Sequence, residues 1–252
     1  MRSKRREVKG KKEISINLGP WTEASLEGLL RASSGIRDTG DRIVSLSRPF
    51  IGTPYRESTL TGSASEPEVL TIDLAGVDCF TFIDYIEALR RARSFEEFTA
   101  MVREVRYRSG IVAYSNRNHF FTDWSVFNAG SVSDVTGVIG GEKARSVRKC
   151  LNRKEDGTSF LPGMPPVERD ITYLPSGHVD KAVLDALRNG DYIGIYSPQP
   201  GLDVSHVGIL VREDTSLLLR HASSAQTNRK VVDQEFSGYI AGKPGIVVLR
   251  PK

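Results

Sequence analysis

One stretch, VDCFTFIDYIEALRRA at residues 77–92, restricts the fold more than any other. Cys79, Phe82, Ile83, Ile86 and Leu89 recur at the spacing of one helical face, which predicts a helix with a buried stripe. Asp78 stands where its side chain can cap the first turn. Three strand-like runs lie near the C-terminus. Residues 190–196, GDYIGIY, read as one strand, 205–211 as a second and 217–223 as a third, with 212–216 as a polar turn. The last two form a hairpin.

The same two elements carry the reactive side chains. Cys79 falls in the first helical turn, where unpaired backbone N–H groups and the helix dipole favour a thiolate. In the hairpin, a turn of two or four residues pairs His206 with either His221 or Ser223. Side chains alternate faces with period two, so either register leaves His206 and His221 on one face. One ring can then take the thiol proton while the other holds it in orientation, unless an aspartate or asparagine from elsewhere does so. Cysteine and two histidines could also ligate zinc, but no CxxC or HxxxH pair occurs, and no metal or cofactor is expected.

The runs PFIGTPYRES, DCFTF, GDYIGIY, SHVGIL and HASS, spread over residues 49–224, resemble the NlpC-type branch of the papain-like cysteine hydrolases. More narrowly, RYRSGIVAYSNRNHFFTDW and the closing GIVVLR are similar to the N-acetylmuramoyl-L-alanine amidase-like family. The resemblance implies an α+β fold: a papain-like core with the nucleophile-bearing helix packed on an antiparallel β-sheet, plus insertions. It implies Cys79, His206 and His221 as the catalytic set, acting through a thioester on the amide between the lactyl group of N-acetylmuramic acid and L-alanine. Tyr55, in the GTPY run, would lie near the oxyanion, with the backbone N–H of Cys79 expected as the oxyanion donor ahead of it. Arg117, His119, Asp123 and Trp124 combine charge with a flat aromatic body and are the expected binding residues for a muropeptide. A stem-peptide endopeptidase of the same fold and a non-catalytic binder of wall fragments are the alternatives.

With 252 residues, of which 39% are hydrophobic, the chain can build a core without disulfides. Motifs from both ends must meet at one site, so a single domain over 21–252 is expected, with an irregular Pro/Gly-rich insertion near 152–179 and a basic, flexible arm over 1–20. Helices are expected in WTEASLEGLLRASS, TGDRIVSLSRPFIG, SFEEFTAMVREVRY (capped by Ser94 with Glu97) and VDKAVLDALRNG. Cys150 has no partner motif, and both cysteines are expected to be reduced. The net charge of +4 comes from residues 2–12, which hold seven Lys or Arg against one acid, so the remaining chain is net negative and no nucleic-acid partner is expected. No apolar run is long enough to span a membrane, and no secretory signal follows Met1. Read from Met1 the chain belongs in the cytoplasm; removal of a signal would place it in the periplasm.

Overall fold

The computed structural model describes residues 14–252; the basic residues 2–12 lie outside them. The chain runs β1 (Ile14–Asn17), α1 (Glu23–Ser33), α2 (Thr39–Ser47), β2 (Leu70–Asp73), α3 (Cys79–Arg91), α4 (Phe95–Arg106), α5 (Phe121–Phe127), β3 (Val132–Asp134) and α6 (Thr136–Gly140). It continues through β4 (Arg145–Leu151), β5 (Val167–Tyr173), α7 (Lys181–Ala186), β6 (Tyr192–Tyr196), β7 (Val204–Glu213), β8 (Ser216–Ala222), β9 (Val231–Glu235), α8 (Phe236–Ile240) and β10 (Ile246–Pro251). The main sheet has six strands in the order β3-β10-β6-β7-β8-β9, antiparallel at every pair. Helix α3 lies against β7 and β8 on one side and against α2 and α4 on the other, so the fold is α+β with the cysteine-bearing helix on an antiparallel sheet. No described helix is long and apolar enough to cross a membrane.

The position of α3 between layers changes how its sequence is read. The spacing predicts one buried face, yet residues 81–89 are buried on every side, Asp84 and Glu87 included. Each carboxylate is matched. Asp84 accepts from Nε of Arg106 at 2.8 Å and from Nε1 of Trp124 at 3.0 Å, while Glu87 accepts from Arg90 at 2.6 and 2.7 Å and from the Tyr192 hydroxyl at 2.8 Å. A buried charge left without such partners would ionise only at great expense, so these pairs are what allow a helix with acids to sit at the centre.

The sheet is covered on both faces. Tyr192, Tyr196, Val207 and Ile209 join the core shared with the helices, whereas Ile193, Ile195, Leu210 and Leu219 pack on the far side with Phe236 and Ile240 of α8. Burial on both faces explains why GDYIGIY is nearly continuous in apolar residues and does not alternate with polar ones.

Two boundaries differ from the sequence expectation. Ile14–Asn17, placed in the flexible arm, forms a parallel strand with β2, in register from Ile14 opposite Leu70 to Asn17 opposite Asp73. Backbone pairing and the Asn17–Asp73 side-chain bond of 3.0 Å anchor it, although its side chains alternate too briefly to be recognised. The second difference is in the insertion: Val167–Tyr173 is not irregular but pairs antiparallel with β4, Arg145 opposite Tyr173 and Leu151 opposite Val167. This ribbon docks on the main sheet by stacking Tyr173 on Tyr196, rings 3.8 Å apart, and through Lys149, whose ammonium donates to the carbonyls of Ser197, Gln199 and Leu202.

Candidate active site

Cys79 opens α3. Asp78 is its N-cap, with Oδ1 accepting from the N–H of Phe80 at 3.0 Å and of Thr81 at 2.7 Å, and the Thr81 hydroxyl accepting from the N–H of Asp78 at 3.0 Å. The capping box fixes the entry of the chain and takes the second and third N–H groups of the helix, not that of Cys79 itself. The sequence expectation of a thiolate does not hold for the free protein. Burial pushes the Cys79 thiol up to about 12, and the neighbouring Asp78 charge adds to it; the backbone N–H groups of Val207, Cys79 and Phe80 pull the other way and lose.

The hairpin delivers both histidines. Glu213 pairs with Ser216 across a two-residue turn, Asp214–Thr215, in which Asp214 takes the left-handed conformation at φ 49°. Of the two possible registers this is the one that places His206 diagonally from His221. Gly208 sits between them, where a Cβ would come within 2.9 Å of the Cβ of His221, so the glycine of SHVG is a packing requirement. Nε2 of His206 lies 2.7 Å from Nδ1 of His221, with the rings at 89°. Nε2 of His221 in turn lies 2.6 Å from Oε1 of Gln234 on β9. Tyr239 of α8 covers the pair, its ring centroid 4.9 Å from His221 and 6.3 Å from His206. Burial, with the charges of His221 and Lys243, pushes His206 down to about 3. His221 is also lowered by burial, against the opposing pull of Gln234 and Asp233.

Cys79 and His206 line one cavity of about 160 Å³. Its walls are mostly apolar: Phe80 from α3, Phe120 and Phe121 from the start of α5, Phe160 and Leu161 from the β4–β5 loop, and Leu202 ahead of β7. The loop is held in place by Asn152, a fully buried residue at φ 68°, whose side chain bonds the backbone of Leu161 in both directions, at 2.7 and 3.1 Å, and the carbonyl of Met164 at 2.8 Å. Asp203, also in the wall, accepts from the N–H and hydroxyl of Thr122 at 2.7 and 2.9 Å and so ties α5 to β7.

The family model described as AmiA-like, N-acetylmuramoyl-L-alanine amidase-like, matches residues 45–246, a span containing every side chain of the site. The chain belongs to this amidase-like family. An N-acetylmuramoyl-L-alanine amidase from Bacteroides uniformis is similar at 28% identity and a TM-score of 0.72, covering 85% of this chain and 99% of that one. A Legionella pneumophila protein shares the fold with a TM-score of 0.77 at 24% identity, over 91% of this chain and 94% of that one. No curated protein matches.

Within this amidase-like protein the expected binding residues separate. His119 lines the cavity; its Nε2–H donates to the carbonyl of Tyr114 at 2.9 Å, and burial lowers it to about 4. Tyr55 is half-buried beside the thiol, bridged to Val77 and covered by the Arg229 guanidinium at 4.8 Å, and burial, with the Asp78 and Glu57 carboxylates nearby, raises its hydroxyl to about 12. Three residues do not fit the expectation. Trp124 is wholly buried between Phe121 and Tyr192, with its N–H given to Asp84. Asp123 is buried between Arg108 and Arg169, and Arg117 is closed onto Glu68 by contacts of 2.6 and 2.7 Å. Their polar atoms are already used in holding the middle segment to its neighbours. Sequence reasoning missed Gln234, Tyr239, Phe160 and Leu161. The first two carry no spacing signal, and the others stand in a stretch read only as irregular.

Proposed function

We propose that this protein is a cysteine amidase with a papain-like active site, hydrolysing the amide between the lactyl group of N-acetylmuramic acid and L-alanine in peptidoglycan fragments. The observation that carries the reading is the shared cavity of Cys79 and His206 with His221 bonded behind His206 at 2.7 Å, inside a chain of the amidase-like family. His206 engages His221 through Nε2, so its Nδ1 is the nitrogen left to serve the thiol.

Both partners start neutral, a thiol raised to about 12 and an imidazole lowered to about 3, so no standing ion pair forms. Proton transfer from sulfur to His206 then accompanies attack on the lactyl carbonyl. The tetrahedral oxyanion falls to the N–H of Cys79, which the Asp78 cap does not take, and to Tyr55. His206 returns its proton to the alanine nitrogen as the C–N bond breaks, leaving a thioester on Cys79. Water, deprotonated by His206, cleaves the thioester and releases the muramic carboxylate.

Mass spectrometry of N-acetylmuramoyl-L-alanine and of a longer muropeptide, incubated with wild type and Cys79→Ala, tests the reading. Free alanine or intact stem peptide released by wild type alone is the expected result. Cleavage inside the stem would make the protein an endopeptidase, and no cleavage of either substrate would leave a wall-fragment binder.

A further inference from the structure

We propose that Gln234 is a positioning residue that sets the direction of proton donation along His221 and His206, so that His206 presents an unprotonated Nδ1 to Cys79. The inference deepens the amidase reading and rests on it for its consequence in catalysis. A side-chain carbonyl oxygen can only accept, so the 2.6 Å contact of Gln234 Oε1 requires the His221 proton on Nε2. A neutral imidazole has one N–H. Nδ1 of His221 is therefore an acceptor, and the 2.7 Å contact to His206 places the second proton on Nε2 of that ring. Nδ1 of His206 is left with a free lone pair. Without the anchor the chain could run in reverse, with an N–H on Nδ1 of His206 that cannot take a proton from sulfur.

The sheet brings the anchor into place. Gln234 pairs with Leu219 and His221 with Val232, so Gln234 and His221 are diagonal neighbours on one face of β8 and β9. Glutamine directs the protons without adding a charge, which suits a pair that the fold keeps neutral. The other groups around the rings are Tyr239 of α8, Lys243 beyond it, Asp233 of β9 and Cys79 of α3. Asp233 is occupied by the Arg220 guanidinium at 2.7 and 2.8 Å, and among the described residues no hydrogen bond to either ring comes from these four.

Long-range ¹⁵N imidazole spectra of the full chain at pH 7 read the tautomers directly. Both rings are expected as Nε2–H, and an Nδ1–H form of His221 in wild type would overturn the proposal. In Gln234→Met the His221 tautomer should become mixed and alkylation of Cys79 by iodoacetamide should slow, roughly 10- to 100-fold for a lost orienting partner. Gln234→Glu should keep the tautomers and move the acid limb of the alkylation profile upward by about one pH unit or more, because a carboxylate stabilises the imidazolium. A glutamine that merely fills space predicts no shift in that profile, and an unshifted profile with wild-type tautomers in both variants rejects the idea. Should Gln234→Met not fold, the wild-type spectrum and the glutamate variant still decide. Neither readout uses a muropeptide, so a wild type with the expected tautomers that cleaves no substrate would remove the amidase reading and leave the positioning role standing.

Discussion

Two buried polar networks meet on helix α3, and they are built on opposite principles. At Asp84 and Glu87, charges of both signs close on each other: Arg106, Arg90, Trp124 and Tyr192 saturate the carboxylates. At Cys79, one to two turns earlier, the chain of thiol, His206, His221 and Gln234 has titratable groups yet holds them uncharged, with the thiol raised and both rings lowered. The first network is finished when the protein folds. On the mechanism proposed above, the second is complete only when a substrate supplies the charge that develops on attack.

The comparison is broken most severely by removing its central atom. Cys79→Ala should abolish amide cleavage, by about 10⁴-fold or more as for other nucleophile deletions, while stability changes by no more than about 1 kcal/mol. A pair of kinetic and denaturant measurements checks both halves. Asp84→Ala should do the reverse. It leaves the Arg106 guanidinium buried and unpaired, and should destabilise by about 3–5 kcal/mol, with near-normal turnover per folded molecule. Equal effects of the two substitutions on stability would erase the distinction between the networks.

How far these networks could be read from the sequence follows from the range of the interactions. The Asp78 cap and the apolar period of α3 are local, and so were legible. The His206–His221 pairing was legible because both allowed registers share a face; which register holds depended on Asp214 accepting a left-handed φ of 49°. Asp84 and Glu87 give no sign of burial, since apart from Arg90 on the same helix their partners come from α4, α5 and β6. Trp124 and Asp123 look like a binding surface in the sequence for the same reason: Arg108, Arg169 and Tyr192 are distant in sequence. Ser94 does cap α4 through the N–H of Glu97 at 3.1 Å, but Glu97 accepts from Arg93 at 2.8 Å, so the spacing marked the helix start and not the partner. In β5, the alternation of Val167, Arg169, Ile171 and Tyr173 with Glu168, Asp170 and Thr172 was a strand signal hidden among prolines and glycines.

A smaller effect comes from acid. His206 stays neutral in the fold down to about 3 and His119 to about 4, whereas an unfolded histidine titrates near 6.5. Below that value the unfolded chain binds more protons, so stability should fall as the pH drops from about 6.5 toward 4, by on the order of 1–3 kcal/mol for His206 by pH 4.5. Asp203, whose buried carboxyl is raised, acts in the opposite sense. The contribution is therefore read as a difference: unfolding of His206→Gln between pH 7 and 4.5 should decline less steeply than that of wild type, and parallel curves would mean that His206 is already charged in the fold.

The smallest effect separates the two proposed oxyanion donors. Tyr55→Phe keeps the ring under Arg229 and the backbone bridge to Val77, so it should fold as wild type does. If the Cys79 N–H is the main donor, loss of the hydroxyl should lower kcat about tenfold with KM unchanged, less than the 10²- to 10³-fold known for a principal donor. A drop of that larger size would make Tyr55 the chief donor, and an unchanged kcat would leave the helix N-terminus as the sole source of oxyanion stabilisation. In either case the neutral network would keep its logic, because on the proposed mechanism the developing charge is met by hydrogen-bond donors, the Cys79 N–H or the Tyr55 hydroxyl, and not by an ion already in place.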